Sequence, residues 1–137
     1  MNVSELERIL PHRKPMLLLD EAEKTGDNTG ISHCTIKGDE FFLMGHFPGK
    51  PVVPGVILCE MLAQTCGVIL ADETDGKTPF FTSIEKIRFK NPVLPGDTIE
   101  FQCEITKSKK PFYFAEGKGF VGGKLCIEGN ISFALID

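Results

Sequence analysis

The 137-residue sequence is short of positive charge, with a net charge of −4 at pH 7. A general nucleic-acid binder is normally basic, so no nucleic-acid partner is expected. Patterns for metals and disulfides are missing as well. The five cysteines (Cys34, Cys59, Cys66, Cys103, Cys126) are odd in number and show no Cys-x-x-Cys spacing, which signals neither a disulfide framework nor a zinc site. His12, His33 and His46 show no ligand spacing, so neither metal nor cofactor is expected. Buried free thiols in a reducing cytosol are the simplest reading, and the expected location is cytoplasmic. Residues Met1 to Glu7 have neither the basic n-region nor the apolar h-region of a secretory signal. No apolar run reaches the roughly 20 residues a membrane span needs, so no membrane association is expected. Repeats, low-complexity segments and linkers are absent. The length then predicts one domain over 1–137, long enough for a real core.

The most informative stretch runs from His46 to Ala71. Pro48, Pro51 and Pro54 fix φ and remove donors, and Gly49 and Gly55 flank them, so no regular ladder crosses this segment. A stiff loop with His46 at its entrance is expected. Of the sixteen residues from Val56 to Ala71, twelve are apolar. A helix apolar on all sides is a buried one, so Val56–Ala71 predicts a central helix.

Elsewhere Ser4-Glu-Leu-Glu7 fits a capping box for a short helix from about residue 5 to Leu10. Met16 to Lys24 reads as a first strand, and Ile31 to Lys37 as a second. A polar stretch from Asp72 to Thr78 ends the central helix. Strands are then expected at Pro79–Phe89, Thr98–Thr106, Phe112–Val121 and Lys124–Ile136, with a basic turn at Lys107 to Pro111. Gly122-Gly123 is the strongest hairpin signal. An antiparallel sheet with one buried face needs something to lie against it, and a single buried helix suffices. The sheet edges left over invite pairing between two copies.

His46 and Glu60 are the leading chemical candidates, because imidazole and a pKa-raised carboxyl both exchange protons near neutrality. Against this stands a loop histidine and a helix glutamate without any shared role. Glu60 lies in an apolar wall, where desolvation disfavours its anion more than the helix dipole favours it. The N–H groups of Gly55 and Val56 open the helix without intrahelical partners and suit an oxygen that gains charge. Gln64, four residues after Glu60, shares its face and orients the carboxyl or makes a plain polar contact. His12 and Arg13 sit in a proline-bounded loop with a structural role expected. Lys86, Arg88 and Lys90 alternate with Ile87 and Phe89, which places three cations on one strand face, either solvated or landing an acidic partner.

The block His46-Phe-Pro-Gly-x-Pro51-x-x-Pro54-Gly55-x-x-x-x-Glu60 closely resembles the active-site signature of the (3R)-hydroxyacyl-[acyl carrier protein] dehydratases of type II fatty acid synthesis, the FabZ type. Leu10-Pro-His-Arg-x-Pro15 before Leu-Leu-Leu-Asp20, and Lys86-Ile-Arg-Phe-Lys-x-Pro92-x-x-Pro95-Gly-Asp97, resemble further blocks of that family. The resemblance implies an α+β hot-dog fold, an antiparallel sheet wrapped around one long central buried helix. It also implies a homodimer, commonly a hexamer built as a trimer of dimers, with His46 and Glu60 of each site on different subunits. The Val52 carbonyl would orient His46, and the thioester carbonyl would face Gly55. The implied reaction turns a 3-hydroxyacyl thioester into the trans-2-enoyl thioester, with acyl carrier protein as partner and Lys86, Arg88 and Lys90 as its docking charges. Val53 replaces a common methionine, and Glu21 a usual basic residue. Alternatives are a dehydratase that also isomerises its product to the cis-3 enoyl form, a hot-dog thioesterase, and a non-catalytic acyl-binding module.

Overall fold

The computed structural model describes residues 1–74 and 76–137; Asp75, in the polar stretch after the central helix, lies outside the described residues. Two helices, α1 (Val3–Ile9) and α2 (Gly55–Ile69), combine with strands β1 (Glu21–Lys24), β2 (Thr29–Thr35), β3 (Thr78–Phe89), β4 (Thr98–Lys109), β5 (Phe112–Val121) and β6 (Lys124–Ile136). The strands form one antiparallel sheet in the order β1-β2-β4-β5-β6-β3. Gly122 and Gly123 both have positive φ, 55° and 80°, the conformation of the tight turn whose twist matches paired strands. Its neighbours β5 and β6 therefore run over the expected residues.

The sheet wraps around α2, as the resemblance implied. Met61, Leu62, Val68 and Ile69 of the helix are buried to within 2% and join Ile99, Phe101, Tyr113 and Ile127 of the strands in one core. Each such side chain contributes roughly 1.5–3 kcal/mol by leaving water. A row of small residues makes the approach possible. Gly30 pairs with Cys103, Cys103 with Gly117, and Gly117 with Gly129 across four strands. A Cβ at position 117 would stand 2.5 Å from the Leu62 side chain, and one at position 30 would stand 2.7 Å from that of Ile69. The helix seats where the sheet presents only glycines and the small Cys103 side chain.

Several local expectations are corrected. Helix α1 is capped by Asn2, not Ser4: the Asn2 side chain accepts from the Glu5 N–H at 3.0 Å, and the Glu5 carboxylate accepts from the Asn2 N–H at 3.2 Å. Asn2 offers the same cap-and-acid spacing two residues earlier, and the earlier start forms more helix. Met16–Leu19 is not strand, and β1 begins only at Glu21. Leu17, Leu18 and Leu19 are all buried, which a two-faced strand cannot do, and their backbone bonds go elsewhere. Met16 and Leu17 N–H donate to the Arg13 carbonyl, and Leu18 N–H donates to the Gln64 side chain at 3.0 Å. Strand β4 continues to Lys109, so Lys107 and Lys109 are strand residues and the basic turn shrinks.

Candidate active site

The loop that carries His46 is closed by its own backbone. Phe47 N–H donates to the Lys50 carbonyl at 3.1 Å, and Lys50 N–H returns the bond at 2.9 Å. Gly49 supplies the φ of 74° this turn requires, at no steric cost. Val52 N–H then donates to the His46 carbonyl at 2.9 Å, and the His46 ring answers from Nδ1 to the Val52 carbonyl at 2.9 Å. A carbonyl only accepts, so Nδ1 carries the hydrogen of the neutral ring and Nε2 holds the free lone pair. Phe47 stacks on the ring with centroids 4.2 Å apart. The prolines restrict the loop, and these bonds select one tautomer of the imidazole.

Glu60 is held from the opposite side by a saturated amide. Gln64 is 1% exposed. Its Oε1 accepts from Leu18 N–H at 3.0 Å, while its Nε2 donates to the Met16 carbonyl at 2.7 Å and to Glu60 Oε2 at 3.0 Å. Flipping the amide would set oxygen against the Met16 carbonyl and nitrogen against the Leu18 N–H, so its orientation is fixed. Gln64 therefore reaches the site through Glu60, with both of its amide hydrogens engaged. His12 is the residue that sequence reasoning missed. Its Nε2 lies 3.2 Å from Glu60 Oε2. Glu60 Oε1 has no hydrogen-bond partner among the described residues. No spacing rule links residues 12 and 60; only the Leu10-Pro-His-Arg-x-Pro15 block pointed there, through resemblance.

Glu60 and His12 line a narrow pocket walled by Leu10, Ala63, Phe81 and Phe133. His46 is not among the residues lining it. His46 and Glu60, the two leading candidates, are each partly exposed.

At the start of α2, Ile57 and Leu58 N–H both donate to the Pro54 carbonyl. Gly55 and Val56 N–H have no acceptor among the described residues, and Pro54 offers no side-chain cap. Two donors are therefore open at the positive end of the helix. The Val56 side chain is 75% exposed, so the first turn of α2 is open, unlike the rest. A Cβ on Gly55 would lie 2.6 Å from the Phe89 ring, which accounts for glycine there.

The three-cation face on β3 is not present. The register slips between Glu85, paired with Asn130, and Arg88, paired with Glu128, and Lys86 takes a φ of 54°. This bulge breaks the alternation on which the expectation rested. Lys86 and Arg88 share an outer groove with Glu104, Glu116 and Glu128, while Lys90 lies past the strand end.

Residues 21–129 match the family model described as ApeI-like, ApeI dehydratase. The 3-hydroxyacyl-[acyl-carrier-protein] dehydratase FabZ of Clostridium perfringens is 42% identical over 137 residues, covering 98% of this chain and 99% of that protein. The corresponding Clostridioides difficile protein is 39% identical, covering 100% and 99%. Among solved structures, the dehydratase heterocomplex ApeI:P from Xenorhabdus doucetiae superposes with a TM-score of 0.84 at 22% identity, covering 96% of this chain and 91% of that one, so the hot-dog fold is shared. With relatives this similar over nearly their whole length, the chain belongs to the FabZ family of 3-hydroxyacyl-[acyl-carrier-protein] dehydratases.

Proposed function

We propose that the protein removes water from (3R)-hydroxyacyl thioesters carried on acyl carrier protein, giving trans-2-enoyl thioesters for fatty acid synthesis in the cytoplasm. The observation that carries the chemistry is the pair of preset groups: a histidine whose Nε2 and a carboxyl whose Oε1 have no partner among the described residues. His46 Nε2 takes the proton α to the thioester carbonyl. Charge that gathers on the thioester oxygen is held by the open N–H groups of Gly55 and Val56. Glu60, protonated on Oε1, delivers its proton to the departing hydroxyl. The C2–H and C3–O bonds break, C2=C3 forms, and water leaves. Positioned acid–base groups contribute roughly 10²–10⁴-fold each, and an oxyanion donor roughly 10²–10³-fold.

Two copies make one site in this reading. Strand β3 is a twelve-residue edge, and Phe80, Phe81, Ile84 and Phe89 along it are 41–55% exposed. A long apolar edge is a template for pairing with another chain, and exposed patches of this kind mark association surfaces. The Glu60 pocket opens beside Phe81 on that edge, so a second copy there can bring its own His46 to Glu60. Assembly of three such dimers into a hexamer completes the proposal.

The deciding experiment follows turnover of a 3-hydroxyacyl thioester on acyl carrier protein and identifies the double-bond position. His46→Ala and Glu60→Gln should each lose most of the rate while folded. Co-assembled H46A and E60Q chains should regain activity, because a mixed dimer restores one intact site. Mixed dimers that stay inactive would place both groups on one chain. Full rate in either single variant would sink the acid–base assignment.

A further inference from the structure

Glu60 Oε2 is crowded while Oε1 has no partner among the described residues, and the crowding has a source outside α2. The chain before Met16 lies along one stripe of that helix. Leu10 is buried beside Gly67, where a Cβ would meet the leucine at 2.6 Å. Arg13 ties the segment by donating to the Leu10 carbonyl at 3.0 Å and the His12 carbonyl at 2.8 Å. The stripe beneath is Glu60, Ala63 and Gly67, successive neighbours on a helix face. His12 is thereby pressed onto Glu60, with Nε2 at 3.2 Å from Oε2.

The other ring nitrogen, Nδ1, is buried with no partner among the described residues. That orphan identifies the tautomer. A hydrogen on Nδ1 would strand a buried donor and also turn a lone pair toward Glu60 Oε2. A hydrogen on Nε2 leaves only an idle lone pair inside and gives Oε2 a donor, the cheaper arrangement. Oε2 then accepts from two N–H groups, those of His12 and Gln64, and has no room for a hydrogen of its own. When Glu60 takes up a proton, the proton goes to Oε1.

We infer that His12 is a positioning residue for the acid: by donating from Nε2 to Glu60 Oε2, it directs the carboxyl proton onto the oxygen free to meet substrate. This rests on Glu60 being the acid of the proposed dehydration. In this role His12 acts through the Glu60 carboxyl, the group its Nε2 faces. Gln64 by itself fills only one of the two lone pairs on Oε2, so without His12 the proton is shared between a productive and an unproductive oxygen.

The test compares His12→Phe, His12→Gln and Glu60→Gln in the assembled protein, with folding and oligomeric mass checked for each. The glutamine amide reaches the place of Nε2 and offers the same N–H; phenylalanine fills the space without a donor. H12F should lower kcat by about 10–100-fold with KM within about threefold, since an interaction serving the transition state is lost rather than binding. H12Q should recover most of the rate. In the ring ¹⁵N spectrum of the wild-type protein, the His12 hydrogen should sit on Nε2. Wild-type kcat in H12F, equal loss in folded H12F and H12Q, or a hydrogen on Nδ1 alone would each overturn the inference. If H12F does not fold, H12Q and the spectrum still decide. Full activity of E60Q would instead overturn the acid reading itself. Loss in E60Q with none in H12F would overturn only the role of His12.

Discussion

Replacing Gln64 with leucine tests how the loop before β1 is bound to the central helix. The Gln64 side chain makes three hydrogen bonds: it accepts from Leu18 N–H at 3.0 Å and donates to the Met16 carbonyl at 2.7 Å and Glu60 at 3.0 Å. Leucine keeps the volume and removes all three. Leu18 is 7% exposed, so its N–H loses its partner with little access to water, which costs about 1–3 kcal/mol. Met16 is 41% exposed, so water replaces the amide at its carbonyl, and the loss there is nearer 0.5–1.5 kcal/mol, about that of an ordinary bond. The sum, about 1.5–4.5 kcal/mol, lowers Tm by roughly 6–18 °C at about 4 °C per kcal/mol for a chain of this size. Thermal and urea unfolding should be compared at one fixed protein concentration, because subunit association contributes to both. Turnover should fall by about 10²-fold as the carboxyl loses an anchor. Gln64→Glu keeps the acceptor for Leu18 and replaces both donors with an anion facing two oxygens. It should destabilise at neutral pH; burial and the facing Glu60 carboxylate raise the folded value of the new carboxyl, so the penalty should shrink as pH falls from that raised value toward the ordinary carboxyl value of about 4.3. Stability of Q64L within about 0.5 kcal/mol of wild type, the range of an ordinary surface change, would refute this account of the amide.

Three further outcomes follow from the packing. The five cysteines are free and buried, and burial pushes the Cys34 thiol up to about 12, so alkylation of the native protein at neutral pH should be negligible and unfolding should release all five; rapid labelling of the native state would show the core to be open. Gly117→Val pushes a branched side chain into Leu62 and Cys103, whose atoms lie 2.5 Å and 3.2 Å from a Cβ there, and should cost about 1–3 kcal/mol in urea unfolding without changing the β5–β6 hairpin turn; wild-type stability would mean that α2 does not seat on this row. Glu40 accepts from the Lys37 and Gly38 N–H groups, both at 2.8 Å; burial works against the anion, but these bonds outweigh it and hold the carboxyl below its ordinary value. Its contribution is therefore present above the unfolded value near 4.5 and lost as pH falls through the folded one. Glu40→Gln should be less stable than wild type at pH 7 and converge with it once pH has fallen through the lowered folded value, and a gap that persists in acid would contradict the assignment.

Local chemistry was enough for much of this protein. Gly122-Gly123 reads as a tight turn because two successive residues there must take positive φ, and β5 and β6 then follow over their full lengths. The apolar run after Pro54-Gly55 announces α2 because no surface helix is apolar all round, and the Pro/Gly block predicts the stiff loop that carries His46. Nearest-neighbour rules set these features, and those rules are written in consecutive residues. Other features depend on groups far apart in the chain. Leu17 to Leu19 are buried without forming strand because Gln64, 46 residues after Leu18, supplies a bond that a ladder would otherwise make. The bulge at Lys86 arises from how β3 pairs with β6, and it removes a cationic face that alternation alone predicted. The meeting of His12 with Glu60 is the clearest case. It exists only because Leu10 packs against Gly67 and lays one segment along another, a contact that no periodicity or spacing encodes.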